Sequence, residues 1–342
     1  MDLTVTALAL DEIDALRDAV ATADAVAPVG GRTHWEVGGA PPTGCSEVRA
    51  PAGVLAYDPA ELTVTVGAGI GVGELDTMLA ASGQECVLDP RDPVRATVGG
   101  TIAAGLSGPR RLRYGPIRDR VLEVRFVTAD GRLVKGGGPT VKNVSGFDVP
   151  RLLVGSLGTI GVITQVTLRC QPRPLRAVWA VVDTHDPTEI RRRCFRPSCI
   201  AWDGDDALVL LEGHPDDVDA ELRMGGLTPA AGPPAWPDGP HRGRISVRPR
   251  RVAALARDLD AIDGLGWVAE VGVGTVHVAS ADADALVTAR QAAHTADGWM
   301  LREAGCDGLD GFGRDLPSEP IMARVKTAFD PTGKLSPGRL GL

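Results

Sequence analysis

The groups best suited to chemistry in this sequence are main-chain amides in glycine-rich turns. The first such turn is Gly30-Gly31-Arg32-Thr33-His34, directly after a strand predicted at 26–29. Successive N–H groups in a tight turn form a concave donor set for an anion, and a pyrophosphate fits such a set. The alternative is a plain turn without a ligand. The spacing matches neither a P-loop nor the dinucleotide fingerprint G-x-G-x-x-G.

Three further segments have the same small, glycine-rich character. Residues 97–105 (TVGGTIAAG) carry only small or β-branched side chains, so a flat ligand can approach their backbone closely. Residues 142–148 (KNVSGFD) form a polar turn into a helix that Asp148 caps. Residues 155–162 (GSLGTIGV) run from a turn into a strand whose main chain can pair with a ring edge. The alternative for 97–105 is a buried loop with many backbone donors to satisfy.

Side-chain chemistry is sparse by comparison. We find no nucleophile elbow and no pair of histidines at metal-ligand spacing among His185, His214, His241 and His294. The acidic runs 203–206 and 216–219 are expected to be solvated turns rather than calcium loops. The cysteines are expected to be reduced structural thiols: Cys45, Cys86, Cys170, Cys194, Cys199 and Cys306.

Elements that could position these turns are predicted from periodicity and breakers. The first part is predicted to contain a helix capped by Asp11, strands at 26–29 and 62–66, a helix at 73–81, loop over nearly all of 89–115, a hairpin of 121–128 and 133–135 around Asp130-Gly131, and a strand at 160–168. A break at 171–174 (QPRP) precedes a second part with the alternation of an α/β sandwich. That part is predicted as strands at 177–183, 207–212, 245–247, 266–271 and 274–280, helices at 187–193, 215–224, 252–259 and 283–303, and a loop at 225–243; a helix at 319–329 follows.

Composition narrows the class of protein. The chain has 342 residues, enough for two domains, and a net charge of −8, which argues against a nucleic-acid footprint. No apolar run approaches the roughly 20 residues of a membrane span. The acidic N-terminal stretch lacks a basic n-region, so we expect no signal peptide.

In this order and spacing, the four segments resemble the vanillyl-alcohol oxidase / p-cresol methylhydroxylase FAD-binding superfamily. Within it, VKNVSGFDVPRLLVGSLGTIGVI is similar to the glycolate oxidase FAD-binding E subunit, and FDPTGKLSPGRL resembles the closing element, with Ser336 where asparagine is usual. The resemblance implies an α+β fold. It comprises a two-subdomain FAD-binding domain of the p-cresol methylhydroxylase (PCMH) type over 1–172, a small α/β sandwich cap over 173–310, and a C-terminal segment, 311–342, that returns to the FAD domain.

The resemblance also implies which residues hold a non-covalent FAD. Members with a covalent flavin place the histidine directly after the two glycines, whereas His34 comes three residues after Gly31. The pyrophosphate donors would be Gly30, Gly31, Arg32, Thr33 and His34. Residues flanking the phosphates and the flavin would be Pro90, Thr97, Val98, Gly99, Gly100, Gly105, Ser107, Gly108 and Asp119, with main-chain contacts from Gly158, Ile160, Gly161 and Val162. Leu157 departs from the acidic residue often found at its position.

A second departure concerns the substrate domain. Hydroxy-acid dehydrogenases of the superfamily carry H-x-G-D-G-N-x-H, where this chain has Glu270-Val271-Gly272-Val273-Gly274-Thr275-Val276-His277. We therefore expect no tightly bound divalent metal, an ordinary strand role for His277, and poor oxidation of 2-hydroxy acids by this chain alone. Arg339 is either a carboxylate partner or a surface arginine. The catalytic residues stay unassigned.

The expected function is the FAD-binding subunit of a glycolate-oxidase-like 2-hydroxy-acid dehydrogenase. Its expected partners are a homologous FAD subunit and an iron–sulfur subunit that takes the electrons, because this chain lacks the cysteine set of a cluster. The alternatives are a self-sufficient FAD-dependent oxidase and a structural or electron-transfer flavin subunit. We expect a cytoplasmic protein without direct membrane insertion, for which partner subunits would provide any membrane contact.

Overall fold

The computed structural model describes residues 10–138, 148–182, 184, 186–312 and 318–341. Within them the helices are α1 (Leu10–Thr22), α2 (Val72–Ala80), α3 (Val98–Ala104), α4 (Arg111–Tyr114), α5 (Val149–Leu153), α6 (Pro187–Arg193), α7 (Pro215–Gly225), α8 (Val252–Asp260), α9 (Ala283–Thr295) and α10 (Glu319–Phe329). The strands are β1 (Val26–Pro28), β2 (Ser46–Val48), β3 (Val54–Asp58), β4 (Thr63–Gly67), β5 (Gln84–Glu85), β6 (Val121–Val127), β7 (Leu133–Gly137), β8 (Val162–Arg169), β9 (Gln171–Pro172), β10 (Arg176–Val182), β11 (Cys199–Trp202), β12 (Ala207–Gly213), β13 (Leu227–Pro229), β14 (His241–Ser246), β15 (Leu265–Glu270), β16 (Thr275–Ser280) and β17 (Trp299–Ala304). No helix in this part of the chain is both long and apolar enough to cross a bilayer.

The N-terminal unit is a helix packed on a parallel strand pair. Leu16 and Val20 of α1 are buried against β1, β2 and the end of β6. They lie four residues apart on one face of the helix, as the apolar periodicity predicted. The predicted cap at Asp11 is wrong, because α1 already includes Leu10 and Asp11 therefore lies within its first turn.

The second unit is an antiparallel sheet with strand order β3-β4-β8-β6-β7. Its hairpin turns at Gly131, where φ is +79°, and the helix after Asp148 is capped as predicted, since that carboxylate accepts from the N–H of Arg151. Helices α2, α3 and α5 pack against the sheet around a core that includes Val124 and Phe126.

The prediction of loop over nearly all of 89–115 is wrong, because residues 98–104 form α3. Thr97 caps this helix by accepting from the N–H of Gly100, and Gly105 ends it at φ +67°. Val98 and Ile102 are fully buried on its inner face. This burial outweighs the low helix propensity of the two glycines.

The cap is an eight-stranded antiparallel sheet in the order β13-β10-β12-β11-β15-β16-β14-β17. Helices α6 to α9 cover one face, where Ile190, Leu222, Leu255 and Leu286 meet the inward side chains of the strands. The opposite face turns toward the FAD-binding half, because strand side chains alternate between faces. The predicted α+β architecture with an α/β sandwich is therefore confirmed.

One predicted cap helix is too long. Helix α9 ends at Thr295 instead of 303, since Asp297 adopts φ +58° and a Cβ on Gly298 would lie 2.4 Å from Val247. Residues 299–304 instead form β17 and pair with β14. The predicted loop 225–243 likewise contains the edge strand β13 and the start of β14.

The C-terminal segment packs against the N-terminal unit. Val26 donates from its N–H to the Lys334 carbonyl (2.8 Å) and accepts from the Ser336 N–H (2.7 Å). The Lys326 ammonium donates to the carbonyls of Thr159 (2.8 Å) and Leu335 (2.7 Å). These contacts join the chain end to the loop that precedes β8. The boundaries 1–172, 173–310 and 311–342 remain a prediction.

Arginine side chains connect the two halves of the chain. Arg110 lies between Asp89 (2.6 Å) and Glu85 (2.8 Å) on one side and Glu212 of β12 (3.3 Å) on the other. Arg244 of β14 donates to the Ser107 carbonyl (2.7 Å). These contacts place the uncovered face of the cap sheet opposite residues 85–110.

Candidate functional site

The turn after β1 presents unused backbone donors. None of the N–H groups of residues 30–34 hydrogen-bonds to another part of the chain that the structure describes, and Arg32 adopts φ +56°. Consecutive amides around a left-handed residue form an anion-binding concavity. A Cβ on Gly31 would lie 1.6 Å from the Arg95 carbonyl oxygen, so only glycine permits this close packing.

The amides of 98–100, in contrast, are occupied. Val98 donates to the Ile70 carbonyl (2.9 Å), Gly99 to that of Ala68 (2.8 Å) and Gly100 to the Thr97 hydroxyl (3.2 Å). A Cβ on Gly99 would lie 2.7 Å from that of Ala68. The small residues here therefore let α3 pack closely on the neighbouring chain, and these three amides are not free to donate to a ligand.

Eleven predicted site residues nevertheless meet in one cavity, which we call the cleft. It lies between the β1–β2 unit and the five-stranded sheet. The predicted residues that line it are Gly30, Gly31, Arg32, Thr33, His34, Thr97, Gly99, Gly100, Gly158, Gly161 and Val162. Leu157 lines the cleft as well. So do Trp35, which the sequence analysis missed, and Arg339, whose role it left open.

Arg339 is a buried cation that has no acidic partner within the part of the chain that the structure describes. It is only 6% exposed, donates to the Trp35 carbonyl (2.7 Å) and stacks 5.1 Å from the ring of Trp35. Its Nε atom is buried and unpaired, and burial lowers the pKa of the guanidinium to about 10, so it stays charged at neutral pH. A buried unpaired charge is costly unless a ligand neutralises it. Arg339 is therefore not a surface arginine, which was one of its two possible roles in the sequence analysis.

A second cavity of about 350 Å³ lies between residues 76–110 and the uncovered face of the cap sheet. We call it the interface cavity. Pro90, Ser107 and Gly108 of the predicted set line it, together with Trp236, Arg244, His277 and Glu303 of the cap. His34 lines both cavities, so the cleft and the interface cavity meet at this residue.

Charges in the interface cavity are tuned by burial. Burial lowers the pKa of His34, which keeps the imidazole neutral and able to form hydrogen bonds at neutral pH. Burial, and then the nearby Asp89 carboxylate, raises the pKa of Asp76 to about 6. The cap contributes Arg244 and an imidazole–carboxylate pair, His277 and Glu270.

Four predicted residues line neither cavity. Val98 is fully buried in the core, and Gly105 ends α3. Asp119 is exposed beside Arg118, so its predicted position next to the phosphates or flavin is not supported. Ile160 is packed in the core of the sheet unit. Of the predicted turn at 142–148, residues 142–147 lie outside the described residues, and Asp148 caps the helix that follows.

The missed residues carried only weak signals in the sequence. Arg244 lies in the strand His241–Ser246, whose polar residues carry no alternating pattern in the sequence. The predicted strand at 245–247 begins one residue after Arg244, and its pairing with His277 is seen only in the folded sheet. Trp35 follows the glycine turn directly but has no motif of its own.

The residues present fit an FAD. Five free amide donors and the unpaired charge of Arg339 suit a pyrophosphate, and the narrow glycine-lined cleft suits an extended nucleotide. The adjoining interface cavity extends the path beyond His34 into the face of the cap. Together, these features define a dinucleotide flavoprotein site between an FAD-binding half and a cap.

Comparison with known proteins agrees with this class. Residues 8–137 match the family model described as an FAD binding domain. Residues 8–137 are therefore similar to FAD binding domains, and FAD is the cofactor of this part of the chain.

Among individual relatives, the chain is 41% identical over 138 residues to glycolate oxidase subunit GlcE of Escherichia coli; the match covers 40% of this chain and 39% of that protein. It is 37% identical over 158 residues to the mitochondrial cytochrome-linked D-lactate dehydrogenase of Arabidopsis thaliana, covering 46% and 28%. The chain thus matches less than half the length of these relatives. A solved structure of alkyldihydroxyacetonephosphate synthase has the same fold, with a TM-score of 0.71 and 16% identity over 97% of this chain and 75% of that one.

Proposed function

We propose that this chain is the FAD-binding subunit of a glycolate-oxidase-like 2-hydroxy-acid dehydrogenase. The observation that carries the proposal is the interface cavity, which adjoins the cleft at His34 and presents a cationic arginine and an imidazole from the cap. The names of the relatives, a glycolate oxidase subunit and D-lactate dehydrogenases, support this substrate class.

The residues of the cleft would hold the cofactor. The amides of 30–34 would donate to the pyrophosphate, Arg339 would neutralise it, and Leu157, Gly158 and Gly161 would flank the nucleotide. When bound, FAD supplies a two-electron oxidant for the substrate carbon. The wall formed by Pro90, Ser107 and Gly108 would separate this path from solvent.

We propose an iron–sulfur partner as the electron acceptor. The six cysteines are all free thiols, and the five buried ones are divided among three hydrophobic clusters, with at most two in any one cluster. A cluster needs several thiolates converging on one point. Electrons would therefore leave for a cluster on another subunit, and partner subunits would make any contact with a membrane.

The test is the absorption spectrum of the purified flavoprotein under anaerobic conditions. Addition of glycolate or D-lactate, alone and with the co-expressed partner subunits, is expected to bleach the flavin bands. If neither acid bleaches the flavin in either preparation, the substrate class is wrong. Rapid oxygen consumption by this chain alone would instead favour a self-sufficient oxidase.

A further inference from the structure

Arg244 stands out among the buried arginines of the described chain. Four are at most 9% exposed: Arg244, Arg290, Arg302 and Arg339. Arg290 and Arg302 pair with Asp310 (3.1 Å) and Asp307 (3.2 Å), whereas Arg244 and Arg339 form no ion pair with a described residue. These two line the interface cavity and the cleft, respectively. Each cavity is therefore lined by one buried arginine whose charge a bound anion could neutralise.

His277 lies directly beside Arg244. The two residues are register partners across the β14–β16 pair, so their side chains stand on the same face of the cap sheet. Both line the interface cavity, and the ring of Trp236 packs edge-on against the imidazole at 5.0 Å. The guanidinium and the imidazole are thus neighbours on one wall.

Glu270 orients this imidazole. Its Oε1 lies 2.7 Å from Nε2 of His277, and the carboxylate is 1% exposed. An ionised carboxylate only accepts hydrogen bonds, so Nε2 carries the hydrogen and Nδ1 of the neutral ring keeps its lone pair. Nδ1 has no partner among the described residues. A buried carboxylate behind the ring also stabilises the imidazolium that forms on protonation.

From these contacts we propose that Arg244 binds the carboxylate of a 2-hydroxy acid and that His277, held by Glu270, accepts its hydroxyl proton without a metal ion. This inference rests on the proposed function. The O–H bond breaks and its proton passes to Nδ1 of His277. The C2–H bond breaks and its hydrogen leaves with the electron pair to the oxidised flavin, while C2–O becomes the carbonyl of a 2-oxo acid. His277 and Arg244 are catalytic residues in this scheme, and Glu270 is a positioning residue.

The surrounding residues favour an imidazole base over a metal centre. Val273 and Thr275 occupy positions where the superfamily motif supplies an acid and an amide, and the described residues contain no group of three His, Cys, Asp or Glu able to hold a metal ion. The Glu270 carboxylate and the His277 imidazole, which are the nearest groups to that motif that could ligate a metal, are hydrogen-bonded to each other. The proposal differs from the expectation from sequence that this chain alone oxidises 2-hydroxy acids poorly, and the reduction rate of the isolated chain decides between the two.

Other charged groups line the same cavity and can influence the pH dependence of the reduction rate. They are His34, Asp76, Asp89, Arg91, Arg110 and Glu303. Arg110 is neutralised by Asp89, and His34 stays neutral because burial lowers its pKa. The reduction rates of wild type and variants are therefore compared at a single pH, so that these groups contribute equally to each.

The experiment is anaerobic stopped-flow reduction of the flavoprotein by D-lactate and glycolate, together with oxalate titration by calorimetry. His277→Gln should slow reduction by about 10²–10⁴-fold with oxalate affinity retained. Arg244→Met should weaken oxalate binding at least tenfold. The oxalate affinity of Arg244→Lys should lie between those of wild type and Arg244→Met. The matched control is Arg242→Met, on the same strand and face but outside the cavity, which should behave as wild type.

Glu270→Gln separates a positioning role from a structural one. Loss of the carboxylate should slow reduction while oxalate affinity stays as in wild type, because the imidazole loses the group that orients it and Arg244 is unchanged. Flavin content and the unfolding midpoint of each variant verify folding.

Unchanged reduction in His277→Gln, unchanged oxalate binding in Arg244→Met, or inactivation of wild type by a chelator would overturn the inference. Absence of reduction in wild type by either acid, with or without partners, would instead refute the proposed function; loss of oxalate binding in Arg244→Met would still support the anion site.

Discussion

Replacement of Lys326 by methionine tests how the chain end supports the cleft. The ammonium is buried and donates to three oxygens: the Thr159 carbonyl (2.8 Å), the Leu335 carbonyl (2.7 Å) and Oδ2 of Asp330 (2.6 Å). Thr159 belongs to the loop between Leu157 and Gly161 that lines the cleft. The change should therefore destabilise the fold and loosen one wall of the FAD site.

The magnitude follows from the three lost contacts. Two buried carbonyls lose a donor at about 1 kcal/mol each, and the bond to the carboxylate is worth about 2 kcal/mol. The free energy of unfolding should fall by about 4 kcal/mol, within the range of about 3–5 kcal/mol for removal of one partner of a buried ion pair. Asp330, 2% exposed, would remain without its cation.

The pH dependence gives an independent check with a defined sign. Burial alone would raise the pKa of Asp330, but the bonds from Lys326 and the Leu335 N–H outweigh it and lower the pKa below its usual range. The wild-type pair thus stabilises the fold above the ordinary carboxyl pKa of about 4 and loses this contribution as pH falls through the lower folded pKa. The deficit of Lys326→Met should shrink in acid, where Asp330 is protonated.

The assay is urea unfolding followed by tryptophan fluorescence, with FAD affinity measured by quenching of flavin fluorescence. Lys334→Met is the matched control, because that ammonium makes only an exposed bond to the Ala21 carbonyl, and its effect should stay within about 0.5 kcal/mol. Equal stability losses in the two variants, or a deficit independent of pH, would refute the reasoning.

Three further predictions concern the cavities. Gly31→Ala should abolish FAD retention, because its Cβ would lie 1.6 Å from the Arg95 carbonyl oxygen. The control Gly138→Ala, whose Cβ would have no described atom within 4 Å, should retain flavin absorbance. Equal flavin content in the two variants would contradict this prediction. Arg339→Met should weaken FAD binding at least tenfold in an equilibrium titration, and unchanged affinity would remove the arginine from the phosphate site. Asp76→Asn should stabilise the fold by about 1–2 kcal/mol above pH 6 and not below pH 4, because the folded pKa of about 6 lies above the ordinary value and ionisation costs stability as pH rises; chemical denaturation at both pH values checks the sign.

Local patterns were sufficient for elements whose stability is local. Helix α10 begins and ends where its periodicity predicted, and α6 does so behind an aspartate cap and a proline. The 121–137 hairpin follows from Asp130-Gly131, because glycine there adopts φ +79° without strain. In each case the residues that decide the structure are neighbours in sequence.

Elements that depend on distant partners could not be predicted. Helix α3 contains two adjacent glycines and forms because Val98 and Ile102 are buried against other strands. Residues 299–304 read as a continued helix, yet they become a strand because β14 offers an open edge. Backbone pairing of this kind involves residues more than fifty positions apart, which no local window contains.

The candidate site divides along the same line. The glycine turns of the sequence, through their resemblance to a known family, indicated an FAD-binding domain and eleven of the residues that line the cleft, because amide donors need only a short turn to converge. Only the tertiary structure decided that Arg339 and Arg244 are buried with no counter-ion among the described residues and that Glu270 hydrogen-bonds to His277. An arginine reads the same in sequence whether exposed or buried, and its charge becomes informative only when folding removes the water around it.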